Sequence, residues 1–147
     1  MTDARNVAQL GQVRGQVGGG RTVRPEGWPR PKGYAHAVAA SGTSVFVSGQ
    51  IGWDENEMFH SDDFVDQVRQ ALQNTVAILA AAGAEPDHIT RMTWYITDKQ
   101  EYLARQAEIG AAYREIMGRT FPAMSVVQVA DLLEDRAKVE IESTAVV

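Results

Sequence analysis

No cysteine occurs anywhere in the 147 residues, which excludes disulfide scaffolds, thiol nucleophiles and cysteine-ligated zinc. That absence suits a reducing compartment. No apolar run approaches the roughly 20 residues needed to span a bilayer. The opening MTDARNVAQLGQVRGQVGGGR also lacks the apolar centre of a secretory signal. A cytoplasmic protein without a membrane partner is the expectation. Basic charge is scarce beyond the start of the chain. Residues 1–32 hold six Arg/Lys and two acids, a balance of +4, so the remainder carries −9 of the total −5. An acidic body repels phosphate backbones, which disfavours nucleic acid as a partner of the folded part.

What is present suggests one domain behind a flexible start. Residues 1–20 are glycine-rich, contain the near-repeat GQVRGQVGGG and show no apolar periodicity, so they read as a flexible extension. The domain proper is expected over 21–147. EGWPRPKGY follows, a proline- and glycine-punctuated loop from which Trp28 is expected to cap the core. Strands at 35–40 and 44–49, separated by Ser41-Gly42-Thr43, read as a hairpin. Met58-Phe59 are expected to return briefly to the sheet after a polar excursion.

Ser61 is the expected N-cap of a helix carrying Phe64, Val68, Leu72, Thr75, Val76 and Leu79 on one stripe, and Gly83 ends it. HITRMTWYIT alternates as a strand, with Ile89, Arg91, Thr93 and Tyr95 facing one way and Thr90, Met92, Trp94 and Ile96 the other. A second helix is expected over about 100–117, packing through Tyr102, Ile109, Tyr113 and Ile116. Strands at 125–129 and 138–147 close the chain. The order β-β-α-β-α-β-β describes an α+β domain, a mixed sheet with two helices on one face. The uncovered face calls for self-association.

Few residues carry chemistry. KVEIESTAVV places Glu140, Glu142 and Thr144 on one strand face, and carboxylates two apart on a strand are either a solvated or ion-paired edge or a general acid–base site. Tyr34 and His36 share a face. Histidine is the side chain suited to moving protons near neutral pH, although a hydrogen-bonded core histidine explains it as well. His60 with Asp62 and Asp63 forms only a loose metal pattern, since helix capping already accounts for the acids. No metal site is expected. The glycine runs lack the strand–loop–helix setting of a phosphate loop.

Taken in order, GYAHAV, VFVSGQIGWD, AILAAAGAEPDHITRMTWYITD, TFPAMSVVQV and KVEIESTAV resemble the RidA/YjgF family of reactive-intermediate deaminases. The resemblance runs from about Val23 to the C-terminus. It implies a chorismate-mutase-like fold, a homotrimer, and small-molecule ligands bound in clefts at the subunit interfaces. The implied chemistry is hydrolysis of imines and enamines to carbonyl compounds and ammonia, without metal or cofactor. Some family members have carried the label endoribonuclease, to which the acidic body lends little support.

Residue by residue, the family's pocket tyrosine falls on Tyr34, its strand-end glycine on Gly49 and its pocket glutamate on Glu140. The PARS motif becomes Pro122-Ala123-Met124-Ser125, so Met124 stands where the family has its carboxylate-clamping arginine. His36 and Ala35 replace glutamine and serine. Gln106 is the candidate for the family's polar second-helix residue. These departures imply a repurposed or an inactive pocket, and a small, less acidic or uncharged ligand in place of a 2-imino acid. Glu140 would activate water, His36 would carry the proton, Tyr34 would orient the substrate, the Gly49 backbone and Ser125 would hold the ligand, and Met124 would form an apolar wall. The alternative is a non-catalytic, metabolite-binding or chaperone-like trimer.

Overall fold

Val68, Leu72 and Leu79 recur at helical spacing and are fully buried, because residues three and four apart stack on one face of a helix. They belong to α1, Phe64–Ala81. The computed structural model describes residues 20–147; the expected flexible extension lies, apart from Gly20, outside the described residues. The remaining elements are β1 (Arg21–Val23), β2 (Ala37–Ala39), β3 (Ser44–Gln50), β4 (Ile89–Ile96), α2 (Lys99–Ala104), α3 (Gln106–Met117), β5 (Ala123–Gln128) and β6 (Val139–Val146).

The helix start differs from expectation. Asp63, not Ser61, is the N-cap, and its side chain accepts from the Asp66 N–H at 3.0 Å. Ser61 supports the cap instead, accepting from the Asp63 N–H and donating to the Asp66 carboxylate. The Arg105 guanidinium beside Asp63 holds its carboxyl below the ordinary carboxylate range. The cap's charge is therefore present at neutral pH and is lost only as pH falls through that lowered value. The second helix is divided at Arg105 into α2 and α3.

The main sheet has the order β3-β6-β4-β5. β6 runs antiparallel to both neighbours and β4 runs parallel to β5, so the sheet is mixed. Parallel pairing of β4 with β5 requires a crossover connection, which α2 and α3 supply. The expected hairpin is not formed. β2 pairs with β1, Thr22 opposite Val38, while β3 pairs with the distant β6, Phe46 opposite Thr144. Phe59 makes only an isolated bridge to Trp53, outside the main sheet. Trp28 does not cap the core either: it is 56% exposed and meets the edge of His36.

Strand parity sorts the two sheet faces. Met92, Trp94, Ile96, Val139 and Ile141 point into the helices and are buried. Arg91, Tyr95 and Glu142 lie on the other face, where Phe46 is 80% exposed. Ile89 breaks the expected alternation. It joins the core because the ladder shifts register between Ile89 and Arg91, as an irregular residue does when it bends a strand.

Gln67 is the exception within the core. It is buried, yet both ends of its amide are bonded: the NH2 donates to the Ser61 and Arg136 carbonyls and the oxygen accepts from the Lys138 N–H. It thereby ties α1 to the loop before β6. Gly52 lies flat against it, since a Cβ there would sit 2.5 Å from the Gln67 side chain. Gln67→Met removes these bonds while keeping the volume. Stranding buried backbone groups costs about 1–3 kcal/mol each, so urea unfolding is expected to show a loss of about 3 kcal/mol. An unchanged midpoint would mean that the clip is dispensable.

Candidate functional site

Segment 33–36 is brought to the edge of the sheet by its backbone. The Ala35 N–H donates to the Pro122 carbonyl at 2.9 Å, and Ala35 bridges in parallel to Ala123. Tyr34 therefore stands beside the start of β5, where Met124 emerges. Both line a cavity of about 470 Å³ between that strand and the helices α2 and α3. Gln106, the candidate from the second helix, also lines it.

The walls are largely aromatic. Tyr113 and Phe121 stack with ring centroids 6.0 Å apart, and Trp94 and Tyr102 complete the apolar surface. Burial pushes the Tyr113 phenol well above its ordinary range and raises that of Tyr102, so both stay protonated and neutral. Tyr113 donates to the Thr120 carbonyl at 2.6 Å. Met124 is half-buried and packs against the core. At this position the chain presents a polarisable thioether, which supplies neither charge nor a hydrogen-bond donor.

Glu140 lies elsewhere. Cross-strand partners share a face, and Met124 is opposite Met92 while Glu140 is opposite Tyr95. Adjacent positions on β4 point to opposite sides, as Met92 and Tyr95 therefore do. Within one chain, Met124 faces the helices and Glu140 faces the open side. Ser125, opposite Thr93, is on the open side with Glu140. So is the approach to Gly49: a Cβ on that glycine would fall 1.9 Å from Glu140 Oε1. Only a residue without a side chain lets the carboxylate lie there.

The two acids of β6 differ in their surroundings. Glu142 is exposed and accepts from the Tyr95 hydroxyl at 2.8 Å, which raises the tyrosine's pKa. Glu140 is half-buried and, among the described residues, has no hydrogen-bond or ion-pair partner. Parity alone could not separate them.

His36 sits between Trp28 and Tyr34, edge-on to both rings at 5.2 and 5.7 Å. Its Nε2 is buried and unbonded among the described residues. It touches the Tyr34 side of the site and not Glu140's. The loose metal pattern dissolves into pairs: His60 bonds to Asp54, Asp62 to Arg136 and Asp63 to Arg105. Among the described residues no His/Asp/Glu group of metal-holding shape occurs, and no helix is long and apolar enough to cross a membrane.

Sequence reasoning missed the cations of the cavity, Lys32 and Arg114. A signal existed. Gln106, Gly110 and Arg114 recur every four residues, which places them along one side of a helix.

Three comparisons bear on this arrangement. The family model described as Endoribonuclease L-PSP matches residues 29–147. The 2-iminobutanoate/2-iminopropanoate deaminase of Salmonella typhimurium is 36% identical over 127 residues, covering 86% of this chain and 97% of that protein. Among solved structures, the Rid-family protein YyfB of Yersinia pestis superimposes with a TM-score of 0.77 at 29% identity, over 86% of this chain and 98% of that one. TdcF of Escherichia coli, solved with bound serine, gives 0.61 at 34% identity, over 86% and 98%. The chain belongs to the endoribonuclease L-PSP family, the RidA/YjgF group of imine deaminases.

Proposed function

We propose that the chain acts as a homo-oligomer, a trimer by the family's pattern, which hydrolyses the C–N bond of a small imine or enamine in a cleft between copies. The observation that carries the hydrolytic reading is Glu140: a half-buried carboxylate without a partner among the described residues, laid against the backbone of Gly49. Such a group is available to accept a proton. The need for a second copy follows from the division of the site. Tyr34 and Met124 border a cavity that contains no acid, while Glu140 and Ser125 lie across the sheet. A neighbour that brings its own open face to the β5 edge of this chain offers its Glu140 to that cavity.

The reaction balances without a co-reactant. Glu140 takes a proton from water and passes it to the nitrogen as the water oxygen bonds to the imine carbon. The resulting carbinolamine gives its hydroxyl proton to Glu140 as the C–N bond breaks, ammonia leaves and the carbonyl forms, and that proton then restores His36. His36 supplies the proton to the departing nitrogen, Tyr34 orients the substrate by its hydroxyl, and the Gly49 backbone with Ser125 holds the oxygen. Met124 selects against a short 2-imino acid, because it cannot pair with a carboxylate next to the reacting carbon.

A second reading has its own support. Within one chain Glu140 and the cavity are apart, and a binding protein needs only the cavity. Light scattering and ammonia release from freshly generated imines distinguish the outcomes. The hydrolase reading expects a stable assembly of several copies and catalytic turnover. Ligand-dependent thermal stabilisation without turnover would assign the site to binding alone, and a monomer active at full rate would remove the shared cleft.

A further inference from the structure

We propose that the cavity beside α3 takes a monocarboxylate with a flat aromatic body, its carboxylate held by Arg114 and Lys32 and its ring among Tyr34, Phe121 and Met124. The proposal rests on the reading that this cavity is the ligand's seat, and it names the class of ligand.

Charge points to an anion. No aspartate or glutamate lines the cavity, and two cations do. Arg69 pairs with Glu115, Arg105 with Asp63 and Arg136 with Asp62, all of them outside the cavity. Arg114 and Lys32 have no such partner among the described residues. Unpaired positive charge at the mouth of an apolar-walled cleft concentrates field and attracts anions. The acidic remainder of the chain makes this local excess more selective.

Local structure leaves room for the guanidinium. Gly110 is one helical turn before Arg114, and a Cβ at Gly110 would lie 3.2 Å from Arg114 Nη1. With glycine there, the guanidinium can pass close to the helix beside the cavity that both residues line. That planar fork suits a carboxylate, which it can grip by two bonds.

Shape points to an aromatic body. The half-open cavity of about 470 Å³ has more room than 2-iminobutanoate fills. Its rings favour offset or edge-on contact with another ring, and a thioether at position 124 adds a favourable sulfur–aromatic contact.

Calorimetric titration of the full chain with phenylpyruvate, 2-oxobutanoate and phenethylamine tests the proposal. Phenylpyruvate is expected to bind at least about tenfold more tightly than 2-oxobutanoate, and phenethylamine not at all. Arg114→Ala should weaken phenylpyruvate binding at least about tenfold, Arg114→Lys should lose part of that, and Lys32→Ala a smaller part. These side chains are exposed, so an unchanged unfolding midpoint certifies the variants. Equal binding of the two keto acids, or an Arg114→Ala variant with wild-type affinity, overturns the ligand class. Tight phenylpyruvate binding without turnover of the matching aryl imine leaves the ligand class standing and removes the hydrolase reading. Turnover of an uncharged imine without phenylpyruvate binding does the reverse.

Discussion

Replacing Glu140 with glutamine is expected to slow imine hydrolysis by about 10²–10⁴-fold, the usual contribution of a positioned general base. Glutamine keeps the shape and fits beside Gly49, but its amide accepts no proton from water. Stability should hardly change, within about 0.5 kcal/mol, because among the described residues Glu140 has no partner to lose. Glu142→Gln is the matched control. It touches the carboxylate bonded to Tyr95 and is expected to leave the rate alone. Gly49→Ala approaches the same question from the backbone. Its methyl would overlap Glu140 Oε1, so the carboxylate must swing away, and activity should fall with the glutamate still present. Ammonia release at saturating imine, with oligomer mass measured alongside, reads all three. Full activity of Glu140→Gln together with His36→Ala, in assemblies of unchanged mass, would remove both residues from the mechanism.

These contrasts depend on features that the sequence discloses unequally. The stripe Val68, Leu72 and Leu79 and the alternation Met92, Trp94 and Ile96 are buried as their spacing requires, because each period reports directly on one element's own geometry. Pairing partners are not local. Ser41-Gly42-Thr43 has the chemistry of a hairpin turn, yet β2 joins β1 and β3 joins β6, nearly a hundred residues on. What decides is the register that buries Val47 and Ala145 on the same side, and turn chemistry carries no such information. Similarly, parity puts Glu140 and Glu142 on one face but says nothing of Tyr95, which claims only Glu142. The family motifs bring Tyr34 and Met124 together, and both line one cavity. They conceal that Met124 and Glu140 occupy opposite faces of a single sheet. The cations of the cavity escaped notice because a solvated arginine and a ligand-facing one look alike until the strand opposite is known.

Restoring an arginine at position 124 is expected to raise kcat/KM on 2-iminobutanoate by about ten- to a hundredfold. Hydrogen bonds to a charged group contribute about 1.5–3 kcal/mol, and each 1.36 kcal/mol is tenfold in rate. The site can accept the change. Met124 is half-buried at the start of a strand and lines the cavity, so an arginine stem could follow the same path and leave its head in the wet space. The new guanidinium would join Arg114 and Lys32 where no acid lines the wall. Like charges crowded together are costly in the empty protein and favourable once an anion binds. Met124→Arg should therefore lower stability slightly without ligand and show a larger thermal shift with 2-oxobutanoate than wild type does. A bulky aryl acid should gain little or lose, because the arginine takes the place of the thioether against its ring. The decisive measurement is the ratio of the two substrate classes, since a global change in folding or assembly would move both together. If wild type already hydrolyses 2-iminobutanoate as fast as an arginine-bearing relative, the residue at 124 does not set the substrate. If Met124→Arg leaves the ratio unchanged, the carboxylate is held elsewhere, and Arg114 becomes the group to remove next.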